Sequence, residues 1–185
     1  ELLHVPVYYA DAASKELYHT DQQLMNDVKQ HFGPDVYVND KLDKGKLSAL
    51  VFSDPAKLQL LNSLVHPLTI KHATRWMADQ NVPYLIKEAA LLFEAGSTTG
   101  LDYIIGVYAP RALRMKRVCE REGITRDEVT KRMERQIDES IKMKLCDFVI
   151  TNDEQQAVIP QVLQLHEKLL SIAKENTLIS KPPML

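Results

Sequence analysis

The stretch VPVYYADAASKEL, Val5 to Leu17, decides how this chain is read. Val5 to Ala10 is a short apolar run of β-formers, the pattern of a buried strand in a parallel sheet. It runs straight into a carboxylate, Asp11, and then into a helical pattern from Ala12 onward. In open α/β sheets, ligands bind beyond the carboxyl ends of the strands. An acid at that corner can orient a hydroxyl and take its proton, or it can cap the helix that follows. The two roles are compatible, and position alone leaves both open.

Downstream of Ala12 the pattern is almost purely helical as far as residue 80. Thr20 with Gln23 resembles a capping box, which starts a second helix there. That helix ends at HFGP, where Gly33 can take a left-handed cap and Pro34 blocks continuation. VYVNDKLD is a loop or ragged extended piece. Asp43 caps a helix through Val51, and Pro55 sits at the first turn of the next one. The spacing predicts that this helix stops before His66-Pro67 and that another spans Leu68 to Ala78.

The period then changes. Tyr84 to Ala89 and Asp102 to Ala109 are apolar runs of strand length, and Phe148 to Thr151 is a third. Helical patterns cover Arg111 to Glu122, a segment capped by Thr125 with Glu128, and Pro160 to Ala173. Strands alternating with helices predict an α/β fold with a parallel sheet flanked by helices. The tail ENTLISKPPML reads as loosely ordered.

Composition narrows the partners. With 45% hydrophobic and 26% charged residues, the 185-residue chain can build an ordinary core. A net charge of −2 gives no bulk attraction to nucleic acid or to an anionic membrane. No apolar run approaches the ~20 residues of a membrane span. Cys119 and Cys146 share no CxxC or Cys/His spacing, which suits two free thiols in a reducing cytoplasm.

Two stretches carry candidate chemistry. In RALRMKRVCEREGITRDEVTKRMERQIDESIKMK, Arg114, Arg117 and Arg121 recur at helical spacing and share one face. Arg132, Arg135, Lys142 and Lys144 follow, with Glu120, Glu122, Glu128 and Glu134 interspersed. This is either a solvated, salt-bridged helical hairpin or a lid whose inward cations neutralise a polyphosphate. In EAALLFEAG, Glu88 and Glu94 are either cleft acids or acids favoured at a helix start by its dipole. His66 has no metal partner at helical spacing, and no HExxH occurs.

Taken together, VPVYYADAASKEL, HFG, LNSLVHP, EAALLFEAG, RMKRVCEREGIT, RMERQIDESIKMK and CDFVITN resemble the dephospho-CoA kinase family. This is a group of P-loop kinases related to nucleoside monophosphate kinases. The stretches stand in the family's order and spacing from Val5 to Asn152. None is specific alone; seven in register are. The resemblance implies a P-loop kinase fold with a five-stranded parallel sheet, a helical substrate-binding insertion and a helical lid. On that reading, residues 1–11 and 82–173 form the nucleotide-binding core, with the lid at about 123–146. Residues 12–81 then form the dephospho-CoA-binding region, and 174–185 a C-terminal tail.

The family opens with a Gly-rich Walker A loop, GxxxxGK[ST], and no such stretch occurs here. The resemblance therefore leads us to expect an upstream segment supplying that loop, including the Ser/Thr that would hold Mg²⁺ with ATP. A chain truly starting at Glu1 would instead be a non-catalytic module. Where the family reads Asp-Ala-Asp, this chain has Tyr9-Ala10-Asp11, so only the second acid is kept. Lys44 stands where the family often has Arg, keeping charge but not fork geometry.

The implied reaction is ATP-dependent phosphorylation of the ribose 3′-hydroxyl of dephospho-CoA, the last step of coenzyme A biosynthesis. Another P-loop kinase acting on a nucleotide or small alcohol is the alternative. By resemblance, Asp11 is the catalytic residue that orients the acceptor hydroxyl and takes its proton. Arg117, Arg121, Arg132, Lys142 and Asn152 contact ATP. His66, Leu91, Leu92 and Glu94 contact the substrate. The expected setting is cytoplasmic, as a monomer or weak homo-oligomer without nucleic-acid or membrane partners.

Overall fold

The computed structural model describes residues 1–179. The chain folds as two compact units, Glu1–Ala90 and Leu91–Leu185.

The first unit opens on strand β1 (Val7–Tyr9), helix α1 (Ala10–Thr20) and helix α2 (Gln22–Phe32). A 3-10 turn (Pro34–Val36), strands β2 (Tyr37–Val38) and β3 (Lys41–Leu42), and helix α3 (Lys44–Phe52) follow. Helix α4 (Pro55–Ala78) and strand β4 (Ile86–Glu88) complete it. α2 is amphipathic: Leu24, Met25, Val28 and Phe32 fall on one face and are buried. They pack with Leu17, Val36, Tyr37, Leu47, Val51, Leu61 and Val65 into the unit's main core. A smaller cluster joins Tyr8, Ala13 and Ala73, where the Tyr8 hydroxyl lies 2.9 Å from His72 Nδ1.

Three local expectations change here. The second helix is capped by Asp21, whose carboxylate accepts from Leu24 N at 2.9 Å. Thr20 belongs to α1 instead, and its hydroxyl donates back to the Glu16 carbonyl. Gly33 does end α2 with a positive φ of 99°, but its ψ of 144° is extended rather than left-handed helical. A side chain there would meet Asp35 Oδ1 at 2.6 Å. VYVNDKLD is a hairpin, turned by Asn39 and Asp40 at φ 51° and 58°. Paired positive φ values suit a two-residue hairpin turn, and Asn and Asp tolerate them.

α4 is the larger correction. It runs for 24 residues through Pro67, which does not end it. Leu61 and Val65 bury into the main core before the proline, and Ala73 into the Tyr8 cluster after it. Packing on both sides outweighs the one backbone bond that proline removes. Asp43 caps α3 as expected, and Asp54, just before the expected first-turn Pro55, caps α4.

The second unit begins with consecutive turns from Leu91 to Gly100, then strand β5 (Ile105–Tyr108) and helix α5 (Arg111–Glu122). Helices α6 (Arg126–Met133) and α7 (Glu139–Lys144), strand β6 (Phe148–Thr151) and helix α8 (Val158–Ile179) follow. Gly123 takes the left-handed cap of α5, and Thr125 with Glu128 forms the capping box of α6. α8 extends past Ala173, so Glu175 to Ile179 are helical rather than loose; the rest of the expected tail lies outside the described residues. At Gly106 the backbone of β5 comes so close to Met143 and Cys146 that an added Cβ would sit 2.9 Å from their sulfurs.

Among the described residues, β1 pairs parallel with β4, and β5 pairs parallel with β6. These are two parallel ladders flanked by helices, not one five-stranded sheet. No helix among the described residues is long and apolar enough to cross a membrane.

Candidate active site

In the first unit, Asp11 lies just past the carboxyl end of β1, with Ala10 between. It is the second residue of α1, whose N-cap is Tyr9, so Asp11 is not the cap. Tyr9 makes no side-chain capping bond, as its long side chain cannot reach back to the first turn; its hydroxyl donates to Glu1 Oε1 at 2.9 Å. Asp11 thus lies in the positive first turn of a helix, where an anion is favoured, and it is exposed. A carboxylate so placed can receive a hydroxyl proton. His66 lies on an exposed face of α4.

In the second unit, α5 and α6 enclose a cleft of about 360 Å³. Arg114, Arg117, Arg121 and Arg132 line it, with Glu122 among them and Val118, Val129 and Met133 as apolar wall. α5 has the predicted spacing, so Arg114, Arg117 and Arg121 share a face.

All four arginines are paired to acids, and two of them share one acid. Arg114 forms an ion pair with Glu139 at 2.7 Å and donates to the Ala109 carbonyl. Arg117 donates to the backbone and side-chain oxygens of Asn152, at 3.2 and 3.3 Å, and to Glu154 at 3.2 Å. Arg121 and Arg132 both donate to Glu122, at 2.7 and 2.5 Å. Those two guanidiniums, Arg121 first, hold the Glu122 carboxyl below the usual carboxylate range. Several guanidiniums converging on one concave surface suit a polyphosphate.

Lys142 does not line this cleft. It pairs with Glu94 at 2.6 Å, and both side chains are largely buried. Glu94 sits within the run of turns and Glu88 ends β4, so neither starts a helix. Leu91 and Leu92 open the same run, with Leu91 exposed. Burial pushes the Glu94 carboxyl up, but Lys142 and two backbone N–H groups outweigh it and pull it below its ordinary value.

The sequence reading missed the partners: Glu139, Glu154 and, as more than a diluting acid, Glu122. A cue existed for Glu122, which follows Arg121 and precedes a helix-ending glycine. Glu139 and Glu154 have no local signature, because their partners lie on other elements. Among the described residues, no three His, Cys, Asp or Glu side chains gather in a way that would hold a metal ion.

The sequence model of the dephospho-CoA kinase family (CoaE) matches residues 1–158. A dephospho-CoA kinase of Chlorobaculum tepidum is 35% identical over 177 residues, covering 91% of this chain and 85% of that protein. One from Bacteroides fragilis is 31% identical over 166 residues, covering 89% and 81%. The crystal structure of TT1252 from Thermus thermophilus superposes with a TM-score of 0.73 at 28% identity, over 98% of this chain and 87% of that one. The dephospho-CoA kinase from Campylobacter jejuni shares the fold with a TM-score of 0.65 at 22% identity, over 95% and 88%. On a family match spanning most of its length, this chain belongs to the dephospho-CoA kinase family.

Proposed function

We infer that this chain catalyses ATP-dependent phosphorylation of dephospho-CoA, forming the 3′-phosphate of coenzyme A and ADP. The observation that carries this beyond family membership is the cleft lined by Arg114, Arg117, Arg121 and Arg132. ATP brings about four negative charges to its site. Phosphoryl transfer asks the protein chiefly for positioning and for cations fixed where oxygen charge develops.

We assign Asp11 to the acceptor side. Its exposed carboxylate can hold the ribose hydroxyl and take the proton as the bond to phosphorus forms. Arg117, Arg121 and Arg132 are assigned to the ATP phosphates, with Asn152 beside the nucleotide as the brace of Arg117. Lys142 approaches the phosphates from the far arm of a lid at about 123–146. His66, Leu91 and Leu92 are assigned to dephospho-CoA, as is the helical block 12–81. Magnesium, when bound, shields the phosphate charge; the described side chains build no cluster for it, so no step is routed through it. The free thiols of Cys119 and Cys146 support a cytoplasmic setting, and we expect a monomer or weak homo-oligomer.

The test is ADP release with ATP and a panel of acceptors. Stimulation by dephospho-CoA, and not by adenosine monophosphate, is the expected result; the reverse preference sinks the substrate assignment. Asp11→Asn is expected to lower kcat by about 100-fold or more while leaving ATP affinity unchanged. A near-normal rate would reduce Asp11 to a first-turn acid.

A further inference from the structure

One oxygen of Glu94 carries two bonds to the same small arm. Oε1 accepts from Lys142 Nζ at 2.6 Å and from Ile137 N at 3.1 Å. Ile137 lies in the link between α6 and α7, and Lys142 in the last turn of α7. The carboxylate therefore ties the link after α6 and the far end of α7 to the turns at 91–100. A third tie runs from Glu139, at the start of α7, to Arg114 in the arginine cleft.

The environment of this pair sets it apart. The Lys142 and Glu94 side chains are 12% and 17% exposed, whereas Asp40, paired to Lys29, is 83% exposed. An exposed pair contributes little, but breaking a mostly buried one leaves a charge without water or partner. Glu94 Oε2 is buried with no hydrogen-bond partner, so the acid is held here despite an unfilled acceptor. A lysine ammonium has three donors. With one on Glu94, two remain for phosphate oxygens, so the pair aims Lys142 without neutralising its use.

We propose that Glu94 is a positioning residue of the ATP side of the reaction, fixing Lys142 and the α6–α7 arm, and not a contact of dephospho-CoA. This rests on the kinase reading above for what Lys142 does, though not for the mooring of the arm.

The test compares Glu94→Gln, Lys142→Met and the double variant in two measurements. The first is the rate of tryptic cleavage after Arg132 and Arg135 in the ligand-free protein. Each single variant is expected to raise it by about tenfold, and the double variant by no more than the larger single one. The second is steady-state kinetics: kcat is expected to fall in parallel in all three, with KM for dephospho-CoA unchanged. Wild-type cleavage rates with additive kinetic losses would overturn the proposal, as would a Glu94→Gln effect confined to KM for dephospho-CoA. Circular dichroism checks folding; should Glu94→Gln not fold, Lys142→Met alone carries the test, and wild-type cleavage in it is a refutation. Turnover that ignores dephospho-CoA would instead sink the kinase reading and leave the cleavage result standing.

Discussion

The Arg117 guanidinium is forked onto Asn152: Nη1 donates to its backbone oxygen at 3.2 Å and Nη2 to its side-chain oxygen at 3.3 Å. Asn152 is itself fixed, since its N–H donates to the Tyr108 carbonyl at 2.7 Å, one step beyond the β5–β6 ladder. An arginine of the α5 face is thereby aimed by the end of a strand. Pre-aiming lowers the entropy lost when the guanidinium meets phosphate. Asn152→Ala is expected to raise KM for ATP by roughly tenfold with KM for dephospho-CoA unchanged, through the loss of one charge-assisted bond. Steady-state kinetics with each substrate varied in turn checks this, and a shift in dephospho-CoA alone would refute it.

Glu122 pairs with two arginines of the cleft, Arg121 on α5 and Arg132 on α6, and on the function proposed above it stands in for a phosphate oxygen. It keeps like charges from repelling while no ligand is bound, and it competes with one that is. Removing its charge is expected to tighten ATP. Glu122→Gln should lower the ATP Kd by a few-fold at low salt, and the gain should shrink as the Debye length falls from ~10 Å toward ~3 Å. Calorimetric titrations at low and high ionic strength decide it; weaker binding at low salt would show that Glu122 organises the arginines more than it screens them.

Much of this was legible because it is local. The caps at Asp43 and Thr125 need only residues three positions apart, and α5 and β6 match their predicted limits. Thr20 misled because its neighbour Asp21 offers a stronger acceptor to the same helix start. Pro67 misled because the packing of Leu61, Val65 and Ala73 is tertiary. The partners of Arg117 and Lys142 were illegible for the same reason: Asn152 and Glu94 stand on distant segments. Candidate cations could be named from spacing, but not what each one holds.

Tyr37 gives a pH signature in the core of the first unit. Its hydroxyl donates to the Tyr18 carbonyl at 2.8 Å and its ring is buried. Burial, and after it the neighbouring Tyr18, pushes the phenol up to about 12 from its ordinary 10.0. A raised acid is neutral in the folded state where the unfolded chain already ionises. Its contribution is therefore complete below pH 10 and is lost as pH rises toward 12. Tyr8, Tyr18 and Tyr84 are raised too, so the informative quantity is the difference between proteins. Urea midpoints of wild type and Tyr37→Phe are expected to converge from pH 9 to 12, and a constant gap would mean the phenol titrates normally.

Pro67 tests whether the long helix is tuned for function more than for stability. At an interior helix position proline leaves the carbonyl four residues back, on Ser63, without its backbone donor. Restoring an N–H there removes a helix penalty of up to ~3 kcal/mol, offset by roughly 0.4–1 kcal/mol because alanine frees the unfolded chain. The position is exposed, so no core packing is lost. Pro67→Ala is therefore expected to raise the melting midpoint by several degrees, as a gain of 1–2 kcal/mol would in a chain of this size. His66, next to it, is assigned to dephospho-CoA. If the proline shapes that surface, the stabilised variant should bind dephospho-CoA several-fold more weakly with ATP affinity intact. Differential scanning calorimetry and substrate titration separate the two effects. A lowered midpoint would show that α4 is built around the proline, and a raised one with unchanged dephospho-CoA affinity would remove the His66-Pro67 surface from the substrate site.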